Sequence, residues 1–218
     1  MKILTNQDLT ENKFTGSGIY TYDDECTYEG DWVIGKRHGY GIYTRGRDEY
    51  DENGIRVIFK GSRYEGEWFY DLRHGWGTYY GMQEMCKIVF EGQWKNDQKD
   101  GWGIFTNERG DVGEGNFGPD NAWNGNQHIW STSHGSKYIG PMIDGHRTGK
   151  NAKFIFTDGR VYEGEVNAGK YIGHLPVGCM ERDEQLKWGE EIDGYGKMTH
   201  LDGTIQEGLF EKGKFIDV

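Results

Sequence analysis

The stretch GDVGEGNFGPDNAW, residues 110–123, spaces Gly113, Gly115 and Gly118 as G-x-G-x-x-G. In a dinucleotide site, glycines so placed let backbone N–H groups close on a pyrophosphate at a helix N-terminus. That chemistry requires a buried strand before the glycines and a helix opening after them. Here Pro119 and several Asn follow, and no βαβ unit surrounds the motif. The histidines point to no better site. His38 and His74 recur before a glycine in RHGYG and RHGWG, so a repeated hairpin loop explains them without a ligand role. His128 and His134 lie six apart in a polar segment, without the H-E-x-x-H spacing that seats a metal on one helix face. Ser131 and Ser133 lack a G-x-S-x-G elbow. Cys26, Cys86 and Cys179 are odd in number and form no C-x-x-C. They therefore suggest neither a disulfide framework nor a zinc knuckle, and fit a reducing compartment. No catalytic, cofactor-binding or metal-ligating residue is assigned.

The elements that would carry any site are set by an unusual composition. Only 34% of the 218 residues are hydrophobic, yet 15% are aromatic and 36 are Gly, so nearly half of the apolar complement is Trp, Tyr and Phe. Three prolines and few runs of Leu, Ile or Val leave little for amphipathic helices, whereas rings set among glycines favour closely approaching strands. With 25 Lys and Arg against 36 Asp and Glu the net charge is −11, a field that repels phosphate backbones and anionic headgroups. Nucleic acid is not an expected partner, and a membrane surface is disfavoured. The opening MKILTNQDLTENKF has no apolar leader core, and no transmembrane-length run follows. An intracellular, soluble protein is expected.

An internal repeat organises the chain. Tyr28, Gly30 and Trp32 with Gly39 and Gly41 recur as Tyr64, Gly66 and Trp68 with Gly75 and Gly77. They recur again as Phe90, Gly92 and Trp94 with Gly101 and Gly103. Weaker copies extend the pattern: residues 14–22 as a second half, Gly113 with Gly115 and Phe117, Tyr138 with Gly140, and Tyr162 with Gly164. Gly194 to Met198 forms another second half and Gln206 to Phe210 a last first half. Strand alternation puts Tyr28, Gly30 and Trp32 on one face and Gly39, Gly41 and Tyr43 on one face of the next strand, joined by a hairpin loop over Val33–His38. If Trp32 stands opposite Gly39, Gly30 meets Gly41 and Tyr28 meets Tyr43, so rings cover bare glycine backbone. One such hairpin is marginal, and stacking on its neighbours stabilises it.

A unit reading Y-x-G-x-W then G-x-G-x-Y resembles the MORN (membrane occupation and recognition nexus) repeat, over residues 14 to about 210. The resemblance implies an all-β fold, an elongated single-layer twisted antiparallel sheet of about seven or eight full or partial hairpin copies spanning 14–218, after an N-terminal extension at 1–13. Asp158-Gly159 and Asp202-Gly203 read as inter-repeat turns. Residues 45–63, centred on Asn53-Gly54, read as an extended hairpin that prolongs the strands, and 167–193 as an irregular segment with a short helix near 178–190. In the fourth copy Asn124 and Asn126 occupy the paired-glycine positions, Trp123 or Trp130 compensates for the ring lost at Gly113, and a kink or bulge is expected.

The residues between the paired glycines, Tyr40, Trp76, Trp102 and Tyr195, face away from the covered glycines beside an acidic border, which suits a protein-docking stripe. A MORN-only chain resembles the small adaptor and scaffold members of that family. This implies a non-catalytic interaction module among other proteins of a multi-subunit assembly in the cytoplasm or cytoskeleton, including the radial spokes of the cilium axoneme. The alternative the family name implies is a membrane or phosphoinositide tether, against which the net charge of −11 argues. Homo-oligomerisation stays open.

Overall fold

A computed structural model of the 218-residue chain describes every residue except 51, 53, 55, 59, 84, 85, 119–121, 168–191 and 217–218. It is almost entirely β. The strands are β1 (Lys2–Ile3), β2 (Gly16–Thr21), β3 (Thr27–Val33), β4 (Lys36–Thr44), β5 (Glu49–Tyr50) and β6 (Arg56–Ile58). They continue as β7 (Arg63–Phe69), β8 (Leu72–Gln83), β9 (Cys86–Lys95), β10 (Gln98–Asn107), β11 (Val112–Phe117) and β12 (Gly125–Ser131). Last come β13 (Lys137–Ile143), β14 (His146–Ile155), β15 (Val161–Asn167), β16 (Ile192–Thr199), β17 (Ile205–Glu211) and β18 (Lys214–Ile216). All but β5 and β6 follow one another in sequence order in one open 16-stranded sheet. β5 and β6 pair only with each other, Glu49 with Ile58 and Tyr50 with Arg56. The segment expected to carry a helix near 178–190 lies outside the described residues; the helix that is described is α1 (Asn6–Thr10). Two compact units, Met1–Gly101 and Trp102–Val218, divide the chain.

In the first unit each copy repeats one set of contacts. Tyr28 pairs with Tyr43 and Gly30 with Gly41, but Trp32 stands opposite Arg37 and not Gly39. The correction has two causes. The hairpin turns on only two residues, Ile34 and Gly35, both at positive φ (53° and 76°), so the strands run on to Val33 and Lys36 and leave no six-residue loop. Gly39, at φ 62°, then bulges out of that ladder and pairs with Trp68 of the next copy. The second copy does the same, with Tyr70 and Asp71 in the turn and Trp68 opposite Arg73.

The bulge lets a ring lie flat across two glycines. A methyl group on Gly41 would fall inside the Tyr28 phenol, and one on Gly30 would meet the Gly41 Cα at 2.5 Å. The Tyr28 hydroxyl donates to the Asp31 carbonyl at 3.0 Å, and Tyr64 repeats the bond to Glu67 at 3.0 Å. Successive copies interlock. Trp68 Nε1 donates to the Gly41 carbonyl and Trp94 Nε1 to the Gly77 carbonyl, each at 3.1 Å. Tyr28 meets Trp68 edge-on at 5.4 Å and Tyr64 meets Trp94 at 5.3 Å. The Arg37 guanidinium lies 4.4 Å over Trp68 while donating to the Asp71 carbonyl of the next turn at 2.9 Å. Arg73 does likewise with Trp94 and Asp97, at 4.3 and 2.8 Å. A ring pair and a cation–π contact each contribute about 0.5–1.5 kcal/mol, and a buried indole bond about 1 kcal/mol. Each copy is therefore held mainly by its neighbours.

The segment from β1 through α1 packs on β2 where later copies meet a preceding hairpin, with β1 pairing in parallel to β2. Leu4, buried, fills the space over Gly18 that a Tyr ring takes elsewhere, and Trp32 Nε1 donates to the Gly18 carbonyl at 3.1 Å. Thr5 and Asp8 close a capping box on α1, and the Gly35 N–H reaches the Phe14 carbonyl at 2.9 Å.

In the second unit Tyr138, Tyr162 and Phe210 keep the ring positions, and Tyr162 donates to the Glu165 carbonyl at 2.8 Å. Gly159 and Gly203 take the left-handed conformation, φ 87° and 83°, in the Asp158-Gly159 and Asp202-Gly203 turns. The fourth copy departs, in a way the sequence reading misplaced. β11 and β12 pair at Val112–Ser131, Gly113–Trp130 and Glu114–Ile129, and the β12–β13 register shifts between Gly125 and His128. Since Gly125 pairs with Met142 and His128 with Gly140, the paired-glycine positions are Gly125 and His128, one residue further apart than usual, and not Asn124 and Asn126. His128 is not in a polar loop but buried on β12 (1% exposed). Its ring covers Gly115, and Nε2 donates to the Asn116 carbonyl at 2.9 Å, the bond that Tyr28 makes to Asp31. The ring missing at Gly113 is thus supplied from the opposite strand, with Trp123 and Trp130 packed over the bare Gly113.

Two outcomes are expected. Gly41→Ala displaces the Tyr28 ring and costs about 1–3 kcal/mol, whereas Tyr28→Phe keeps the ring and costs about 1 kcal/mol, both read from urea unfolding. Desolvation lowers the His128 pKa, and with Nε2 donating, the bare Nδ1 is buried without a hydrogen-bond partner. The unfolded chain takes up this proton near pH 6.5. Stability is therefore full above about pH 6.5 and falls as the pH drops towards the lowered folded-state value. Unfolding followed between pH 7 and 5 should show this loss in the native sequence and not in His128→Gln.

Candidate interaction surface

The outer face of the first unit, opposite the covered glycines, is ordered in rows across the strands. Tyr40 on β4 pairs with Glu67 on β7, and Trp76 on β8 with Gln93 on β9. Glu67 links the two rings, since its Oε1 accepts the Trp76 backbone N–H at 2.8 Å. One step along lies Glu29–Ile42–Glu65–Thr78–Glu91, and beyond it Thr44–Arg63–Tyr80–Val89. Tyr40 is 53% exposed, Trp76 and Tyr80 are each 41% exposed, and Phe69 beside them is 49% exposed.

The bulge explains why these rings face outward. The positive-φ glycines Gly39 and Gly75 press against the Asp31 and Glu67 carboxylates, which accept the N–H groups of Tyr40 and Trp76. A carboxylate just before the Trp position is therefore a brace for the bulge. The Glu29, Glu65 and Glu91 series has no such duty. Glu65 takes the Tyr40 hydroxyl at 2.9 Å and the Arg63 guanidinium, while Glu29 and Glu91 are exposed. Burial and the Glu65 carboxylate both raise the Tyr40 pKa, so the phenol stays a neutral donor.

Of the four stripe residues read from the sequence, the structure brings Tyr40 and Trp76 together. Trp102, half-buried on β10, and Tyr195, 66% exposed on β16, belong to the second unit. Sequence reasoning missed Phe69 and Tyr80, which fall at positions where other copies carry different residue types. His38 and His74 flank the Phe69 ring at 5.3 and 5.6 Å on this same face. Their Nδ1 atoms are buried without hydrogen-bond partners, which marks them as packing groups.

The other candidate groups do not converge. The Ser133 hydroxyl meets His134 Nδ1 at 3.3 Å in an exposed turn, while Asp111 accepts the Ser133 backbone N–H and bonds Asn107. Gly113 and Gly115 lie on a strand under aromatic rings, so no anion can reach their backbone. Among the described residues no group of three His, Cys, Asp or Glu is placed to hold a metal ion. The inner face of the first unit carries a groove of about 430 Å³ lined by Arg37, Arg73, Tyr43 and Trp68. Its arginines are engaged by Asp71 and Asp97, as the interlock requires. Lys99 takes the arginine's place in the third copy, 4.8 Å over Phe90, and burial pushes its pKa down to about 8, helped by the charge of Arg73.

Against known proteins, the MORN repeat matches at residues 9–27, 28–46, 64–82 and 90–112. Comparison with curated protein sequences gave no match. The first match begins at the end of α1, at Leu9, and runs through β2 to Thr27 at the start of β3. Over these four stretches the chain is similar to the MORN repeat.

Proposed function

We propose that this chain is a non-catalytic scaffold or adaptor whose first unit docks another protein on its outer face. One observation carries the reading: Tyr40 and Trp76 stand exposed side by side across Glu67, on a backbone fixed by the bulges beneath them. Large rings held rigidly at a surface are the residue types that dominate interface energetics, because little side-chain freedom is lost when they are covered. On the inner face Arg37 and Arg73 are already stacked on Trp68 and Trp94 and bonded to Asp71 and Asp97, whereas the outer face carries the exposed rings of Tyr40, Phe69, Trp76 and Tyr80. The resemblance to small MORN-only adaptors supports a place in a cytoskeletal or ciliary assembly, and the net charge of −11 weighs against a membrane tether.

Affinity purification with mass spectrometry from a detergent-extracted cytoskeletal fraction tests this. The native chain should retain a defined set of proteins that the double variant Tyr40→Ala, Trp76→Ala loses, while vesicles containing phosphoinositides capture neither chain. A native chain found only as a free monomer in the soluble fraction would overturn the reading, as would a variant that keeps every partner.

A further inference from the structure

We infer that the outer face of the first unit takes a cationic amphipathic helix laid across the strands; this rests on the docking face proposed above. Tyr40 and Trp76 lie on strands separated by β7, so their backbones are two strand spacings apart, about 9.6 Å. Residues one heptad apart on an α-helix are separated by about 10.5 Å, so two apolar side chains at i and i+7 can each meet one ring. An extended segment repeats its same-face side chains at about 6.7 and 13.4 Å and meets only one ring at a time.

The charge of the occupant follows from the neighbouring row. Glu29, Glu65 and Glu91 stand on β3, β7 and β9, again two strand spacings apart, each one strand over from a ring and about 6.7 Å to one side. A helix seated on Tyr40 and Trp76 therefore presents one flank to a ladder of carboxylates at its own repeat distance. Of these, Glu65 is engaged by Arg63, while Glu29 and Glu91 are exposed to receive Lys or Arg. The cations of this face lie outside the carboxylate row: Arg63 and Lys87 further along, opposite Tyr80 and Met82, and Lys36 and Lys95 on the far side of the rings, Lys95 being paired with Asp100.

Three synthetic 18-residue peptides serve as probes by calorimetry: a Leu–Lys helix with Leu at heptad spacing, the same peptide with Glu for Lys, and a strictly alternating Leu–Lys strand former. The cationic helix should bind the native chain. Its affinity should fall at least tenfold for Tyr40→Ala, Trp76→Ala and several-fold for Glu29→Gln, Glu91→Gln, with Leu201→Ser unchanged and circular dichroism confirming each fold. Equal binding of the Glu peptide, or no loss in the glutamine variant, overturns the cationic assignment and leaves the aromatic docking face standing. Equal binding of the alternating peptide overturns the helix. Binding that survives loss of Tyr40 and Trp76 overturns the placement and the docking face together, and no binding by the cationic helix overturns the inference.

Discussion

The structure depends on a ring lying across a pair of glycines. Tyr28 can cover Gly30 and Gly41 only because neither carries a Cβ, and its hydroxyl then closes on the Asp31 carbonyl in the same strand. Once the phenol lies flat, it offers an edge to the tryptophan of the next copy, whose indole N–H takes the carbonyl of the second glycine. That tryptophan in turn gives the arginine of the preceding copy a face to stack on. Each contact has a partner in an adjacent hairpin, so a two-stranded unit too small to stand alone gains its burial from the array. The fourth copy shows which part is indispensable. The tyrosine is gone, yet a ring over glycine and a bond to the equivalent carbonyl persist, with His128 supplying both from the facing strand.

Much of this was legible in the letters. The all-β class, the pairing of Gly30 with Gly41 and Tyr28 with Tyr43, and the turns at Gly159 and Gly203 follow from strand alternation and turn chemistry. The register at Trp32 did not, for a physical reason. The two-residue turn rests on Ile34, Tyr70 and Asn96 at positive φ, and neither Ile nor Tyr is a residue type that signals such a turn. With the turn hidden, the extra residue appeared as loop length when it is a bulge at Gly39. The same displacement put the glycine positions of the fourth copy on Asn124 and Asn126, and left His128 looking like a surface residue.

The bulge also connects the fold to its surface. By turning Gly39 and Gly75 out of the ladder, it lets Tyr40 and Trp76 face solvent and recruits Asp31 and Glu67 to hold their N–H groups. The acidic residues of the repeat therefore divide into two kinds, those that brace the bulge and those, such as Glu29 and Glu91, that stay available. Sequence alone showed one acidic border; geometry was needed to separate the two. The register also places Tyr40 and Trp76 in one row on either side of β7, which the repeat alignment alone did not show.

The dependence on rings over glycines is tested most directly by hydrogen exchange of the tryptophan indole N–H groups, resolved by NMR in the free protein. If Trp32, Trp68 and Trp94 tie each hairpin to the preceding glycine carbonyl, their indole protons exchange only when the first unit unfolds. Their opening free energies then equal those of the backbone amides of β3, β7 and β9. Indole protons that exchange freely while those amides stay protected would show that the rings merely lie on the sheet, and would contradict the interlock on which the rest is built.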